Sequence, residues 1–115
     1  MNKNSTRYYS NKQETQVAKS IKGKKQSNSG ATSFQKGDVI TDLFLLECKT
    51  KTKDSDSFTI KKEWFTKNEE EAFSMGKLYN ALVIDFGDGI NHYIIDESLF
   101  KYLNNKLMED ESYEN

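Results

Sequence analysis

Apolar residues are sparse over the first third of the chain and then gather into short runs, each bounded by turn-forming residues. The first periodic signal is Glu14, Val17, Ala18 and Ile21, spaced i, i+3, i+4, i+7. It predicts a helix from Ser10 or Asn11 as N-cap to about Ile21, stopped at Gly23. Residues 1–11 are polar and rich in Asn and Ser, and are expected to be a disordered arm apart from Tyr8 and Tyr9. Lys24 to Ser33 is small, polar and flexible in character. From Lys36 to Lys49 the pattern is two short strands joined by a tight turn at Thr41-Asp42, the second apolar until it ends in Glu47-Cys48-Lys49. Thr50 to Lys53 continues that strand outward, Asp54-Ser55-Asp56 turns, and Phe58-Thr59-Ile60 reads as a third strand.

From about Lys61 to Met75 the period becomes helical. Trp64, Ala72 and Met75 share one face, Glu69, Glu70 and Glu71 read as a solvated outer face, and Gly76 is the stop. Within Leu78 to Phe86, Ala81-Leu82-Val83-Ile84 is apolar on both faces, as in a central strand covered from both sides. Gly87-Asp88-Gly89 turns the chain back into a hairpin partner, His92 to Ile95. Asp96 then caps a last helix, Glu97 to about Leu107, whose Leu99, Phe100, Leu103 and Leu107 are expected to face the core; residues 108–115 are expected to be a disordered acidic tail. The order is αβββαββα, an α/β (α+β) fold with a mixed central sheet flanked by helices. The first three strands should form an antiparallel meander, and the crossover helix should return the chain to the same sheet. A single domain over residues 12–107 accounts for the whole pattern.

Composition narrows the chemistry. With 115 residues and 35% apolar content the chain can build one modest core, which a partner subunit could help to cover. No apolar run is long enough to span a membrane, and the N-terminus is polar, so a soluble, cytoplasmic protein is expected. A lone cysteine, Cys48, excludes an internal disulfide or a cysteine-cluster zinc site, and a lone histidine, His92, is expected to be structural. The net charge of -1 hides an asymmetry. Residues 1–36 carry Arg7 and Lys3, Lys12, Lys19, Lys22, Lys24, Lys25 and Lys36 against Glu14 alone. Such an arm suits the phosphate backbone of nucleic acid, or else is a solubilising extension.

Strand alternation puts Glu47 and Lys49 on one face and Leu46 and Cys48 on the other, and Asp38 can lie beside the first pair across the ladder. Two carboxylates and an ammonium around one point are what a divalent cation and an activated water need; the same residues also occur as turn residues and surface ion pairs. Glu14, on the inward stripe of its helix, is either a first-turn acid favoured by the helix dipole or an acid facing a cleft.

The helix with Glu14, the Ser29-Gly30-Ala31 loop, Gly37-Asp38, Glu47-Cys48-Lys49 and Phe58-Thr59-Ile60-Lys61-Lys62-Glu63-Trp64 together resemble the PD-(D/E)XK nuclease superfamily, and within it the archaeal-type Holliday junction resolvases and their small phage-encoded relatives. The resemblance covers about residues 12 to 100. It implies a restriction-endonuclease-like core and a homodimer that cuts branched DNA in recombination, in a bacterial host cytoplasm if phage-encoded. It implies Glu14, Asp38, Glu47 and Lys49 as catalytic residues. Mg²⁺, or Mn²⁺ in its place, would be held by Asp38, Glu47 and the Cys48 carbonyl, with no small-molecule cofactor. DNA contacts would fall to Lys24, Lys25, Ser29, Lys51, Lys61 and Lys62. Other readings are a nuclease of this fold acting on flap, single-stranded or linear DNA, and a non-catalytic DNA-binding module on the same scaffold.

Overall fold

A computed structural model describes residues 6–25 and 38–114, with side chains described to residue 111. The elements are α1 (Thr6–Ile21), β1 (Lys24–Lys25), β2 (Asp38–Ile40), β3 (Phe44–Thr50), α2 (Lys62–Ser74), β4 (Tyr79–Asp85), β5 (Asn91–Ile94) and α3 (Glu97–Glu114). The fold is α+β, and its five strands form one mixed sheet in the order β1-β2-β3-β4-β5. Every neighbouring pair is antiparallel except β3 and β4, which run parallel because α2 carries the chain back between them. No helix among the described residues is long and apolar enough to cross a membrane.

The two faces of the sheet follow from the alternation in β3 and β4. Val39, Leu46, Ala81 and Val83 point to one side and close on Val17 of α1, with Ala18, Ile21, Phe44, Cys48 and Ile95 around them. Leu45, Leu82 and Ile84 alternate with them on the other side, where α2 packs on β3 and β4 and buries Ala72. The β2–β3 turn falls at Thr41-Asp42 as expected. The Thr41 amide donates to the Phe44 carbonyl at 3.0 Å, and the Phe44 amide donates to Thr41 Oγ1 at 2.9 Å.

Several elements differ from the sequence expectation. The string αβββαββα is met, but its first strand is Lys24–Lys25, in the stretch read as a flexible loop, and Phe58–Ile60 is not a strand. Lys24 and Lys25 pair with Ile40 and Val39, and Gly23 permits the approach, since a Cβ there would come within 2.7 Å of the Ile40 carbonyl oxygen. Residues 51–61 are instead pinned across the end of the sheet. The Lys51 amide donates to the Asp85 carbonyl at 3.0 Å and the Ser55 amide to the Phe86 carbonyl at 2.9 Å. Gly87, at φ 103°, lets the segment pass, because a Cβ there would run into the backbone of Lys53. Phe58 then packs edge-on against both Trp64 and Phe86, an aromatic cluster in place of strand alternation.

Both ends of the chain are more helical than expected. α1 begins at Thr6, inside the arm assigned to residues 1–11, and α3 runs through Glu114, through most of the tail assigned to residues 108–115. The Asp96 cap is present, with its Oδ1 accepting from the Leu99 amide at 2.8 Å. The core-facing stripe of α3 is not: Leu99 is buried and Tyr102 stacks on Tyr79, but Phe100 is 61% exposed, Leu107 65%, and Leu103 is exposed as well. Leu99 and Tyr102 mark the side of α3 that meets the rest of the fold, and Phe100, Leu103 and Leu107 are turned away from it.

Candidate active site

β2 and β3 pair in the register that sets Asp38 directly opposite Glu47, so the two carboxylates leave the same face of adjacent strands. Lys49 follows Glu47 by two residues on that face, and its Nζ lies 3.7 Å from Glu47 Oε2 and 4.6 Å from the centre of the Trp64 ring on α2. The three residues that sequence spacing brought together are therefore together, at the rim where β2 begins.

Burial decides how these groups behave. Asp38 is 1% exposed and Glu47 3%. Neither oxygen of Asp38 has a hydrogen-bond donor, nor does Glu47 Oε2. Burial first, and then the neighbouring charges of Glu71, Glu47 and Glu14, push the Asp38 carboxyl up to about 8, with Lys49 pulling the other way. Glu47 is also raised, by burial, against the pull of Lys49.

Glu71, expected on a solvated acidic face, belongs to this site. Burial raises its carboxyl against the pull of Lys67, its charge acts on Asp38, and its Oε2 has no hydrogen-bond donor. The signal for it was in the sequence: Trp64, Asn68, Glu71, Ala72 and Met75 lie at i, i+4, i+7, i+8 and i+11, the buried stripe of α2, with Asn68 and Ala72 fully buried. Treating Glu69-Glu70-Glu71 as one run hid that only the third points inward.

Glu14 reaches the same neighbourhood from the opposite face. It is 7% exposed on α1, burial raises its carboxyl against the pull of Lys25, and its charge acts on both Asp38 and Cys48. It is thus a buried acid rather than an exposed first-turn residue. The Cys48 thiol points into the α1 face, where burial and then Glu14, Asp38 and Glu47 raise it; only its backbone carbonyl is left for a ligand role. Gln13, which sequence reasoning passed over, sits beside Glu14. Its Nε2 donates to the carbonyls of Lys49 at 2.9 Å and Val83 at 3.2 Å and to Asn91 Oδ1 at 3.2 Å, fastening α1 to the strands that carry the site.

The expected DNA-contacting lysines divide. Lys51 lies just past β3 with its Nζ 5.4 Å from the Phe58 ring centre. Lys61 and Lys62 are exposed at the start of α2, and Lys24 and Lys25 form the edge strand on the other side of β2. Ser29 lies outside the described residues. His92 stands at the sheet edge, edge-on to Phe86 with ring centres 5.6 Å apart.

Among the described residues, no three His, Cys, Asp or Glu side chains are already arranged to hold a metal ion. The donor set nonetheless fits a hard divalent cation. The buried oxygens left without a hydrogen-bond donor on Asp38, Glu47 and Glu71 are all carboxylate, and among these three acids only Glu47 has a lysine in ion-pair contact. Comparison with models of known protein families, with curated protein sequences and with solved structures gives no significant match.

Proposed function

We propose that this protein is a metal-dependent DNA endonuclease of the PD-(D/E)XK type that hydrolyses phosphodiester bonds in branched DNA, as a homodimer. One observation carries the reading: two buried carboxylates, Asp38 and Glu47, face each other across the β2–β3 ladder, the first with no hydrogen-bond donor on either oxygen and the second with only the Lys49 ammonium, 3.7 Å away, at its Oε2. An inert scaffold gains nothing from such an arrangement, since buried acids without partners cost stability. The order αβββαββα, with the parallel step from β3 to β4 through α2, supports a restriction-endonuclease-like core.

In this reading Asp38, Glu47 and the Cys48 carbonyl would hold Mg²⁺ or Mn²⁺. When bound, the ion supplies a Lewis acid for the phosphate and lowers the pKa of an attacking water. The remaining work falls to side chains. Lys49 places a cation where charge develops on the phosphate oxygens and orients the water beside Glu47. Glu14, on the α1 side, adds a further negative charge that favours cation binding. Lys24 and Lys25 on one flank, and Lys51, Lys61 and Lys62 on the other, give the DNA backbone positive contacts on both sides of the acids. Two copies would set two such sites a fixed distance apart and so nick two strands symmetrically.

Incubation of the purified protein with a labelled four-way junction and Mg²⁺, beside a linear duplex, a flap and a single strand, tests the reading. Paired nicks in the junction, lost on chelation and in Asp38→Asn, are expected. No nicking by the wild type on any of these DNAs, or undiminished nicking by Asp38→Asn, overturns it. Cleavage confined to the flap or single strand would move the substrate and leave the chemistry in place.

A further inference from the structure

We propose that Trp64 and Phe58 form an aromatic wall that holds the Lys49 and Lys51 ammoniums in a row, a two-cation rail for successive phosphates of one nucleic-acid strand. The inference rests on the nuclease reading and names what its site grips next to the scissile bond.

Lys49 and Lys51 are two residues apart in extended chain, so their Cα atoms leave the same side at a separation of roughly 6.6 Å. That spacing is held by the ladder, which continues past β3 through the Lys51 amide bond to Asp85. The rings fix the side chains in turn. Lys49 Nζ lies 4.6 Å from the Trp64 centroid and Lys51 Nζ 5.4 Å from that of Phe58, both within the roughly 6 Å over which a cation is attracted to a ring face. The two rings meet edge-on at 6.4 Å, and Phe58 is backed by Phe86 at 6.0 Å. The wall is therefore braced from behind. Among the described residues no carboxylate pairs with Lys51, so its charge is not spent on a neighbour.

A free lysine wags through many rotamers, and ordering it on a ligand costs entropy; resting it on a ring removes part of that cost beforehand. Two such cations at one strand repeat suit a repeating anion better than a lone phosphate, around which cations would converge from several sides. Because the lysines cover the ring faces, the wall grips backbone and not bases, and the contact is independent of sequence.

Binding of a labelled four-way junction by fluorescence anisotropy, in EDTA across a salt series, tests the rail. Lys51→Gln should reduce the slope of log affinity against log salt by about 0.9, one phosphate contact in duplex DNA. Phe58→Leu keeps both lysines, so the slope should hold while affinity falls several-fold, and Phe58→Tyr, which restores the ring face, should recover it. The Lys51 ε-methylene protons should resonate upfield in the wild type, from the Phe58 ring current, and return to ordinary positions in Phe58→Leu. Should Phe58→Leu lose its melting transition, Lys51→Gln, Phe58→Tyr and the wild-type ring-current shift decide. An unchanged slope in Lys51→Gln, or ordinary wild-type Lys51 shifts, overturns the rail alone. A wild type that binds none of the junction, flap, duplex and single-stranded DNAs, in EDTA or with Ca²⁺, overturns the nuclease reading with it.

Discussion

The rim of the sheet at β2 and β3 and the outer face of α3 invert each other. At the rim, Asp38, Glu47 and Glu14 are buried and Asp38 has no hydrogen-bond donor, while along α3 Phe100, Leu103 and Leu107 stand in solvent. Each arrangement is unfavourable for a lone, empty chain: the first buries charge without compensation, the second leaves apolar surface wet. The contrast teaches what each region lacks: on the proposed reading a cation would complete the acids, and a second protein surface would cover the stripe of α3.

The largest effect should come from breaking the rim chemically. Asp38→Asn and Glu47→Gln, in the junction assay with Mg²⁺, should each lower the cleavage rate by about 10³-fold or more, as expected when a cation ligand that stabilises transition-state charge is lost. Lys49→Met should cost about 10²-fold, since one cation at the phosphate is removed and the acids remain. The same Asp38→Asn chain should be more stable than wild type at pH 8 without metal. An inactive but destabilised Asp38→Asn would mean that the carboxylate serves the fold, and the contrast between the two regions would fail.

The next effect is on stability and has a definite sign. Asp38 binds its proton more tightly folded than unfolded, with the folded carboxyl pushed up to about 8 from the ordinary 3.8. Its contribution is therefore complete below pH 3.8 and is lost as pH rises through about 8. Across that window metal-free stability should fall by about 1.4 kcal/mol per pH unit from this group, and denaturant titrations at successive pH values should show that slope vanish in Asp38→Asn. Mg²⁺ or Mn²⁺ should offset part of the loss, raising stability at pH 8 by about 2.7 kcal/mol at a hundredfold excess over Kd. Stability indifferent to both pH and cation would leave the buried acids unexplained by ligand binding.

How much of this was legible beforehand differs between the same two regions. Asp38, Glu47 and Lys49 could be placed together from sequence because strand alternation has a period of two and a short turn at Thr41-Asp42 leaves little freedom of register. Glu71 could not be placed by reading charge runs, although the α2 stripe it belongs to was visible. The β1 strand escaped because two lysines carry no apolar alternation, and its pairing depends on Gly23 meeting Ile40. Phe58–Ile60 has strand-like composition, but Phe58 finds more to pack against in Trp64 and Phe86 than a strand position would offer. On α3 the periodicity implies the helix but not its burial, since Phe100, Leu103 and Leu107 are exposed. A stripe in sequence says that a face is apolar; only the tertiary structure says whether the chain itself covers it.

The smallest expected effect sharpens the α3 side. Because Leu107 is largely exposed, Leu107→Glu should change the stability of the isolated chain by less than about 0.5 kcal/mol, whereas burial of the same residue in the fold would make the change several-fold larger. Its consequence should appear in association. A homodimer that seats Phe100, Leu103 and Leu107 against a second copy would shift to monomer in sedimentation at micromolar concentration, since a carboxylate placed in a desolvated seam loses its water without gaining a partner. Junction cleavage by that monomer should lose paired nicking and retain single nicks, because Asp38, Glu47 and Lys49 lie on β2 and β3 and owe nothing to α3. Sedimentation unchanged by Leu107→Glu, with a stable wild-type dimer, would place the subunit contact elsewhere and leave the apolar face of α3 to a different protein.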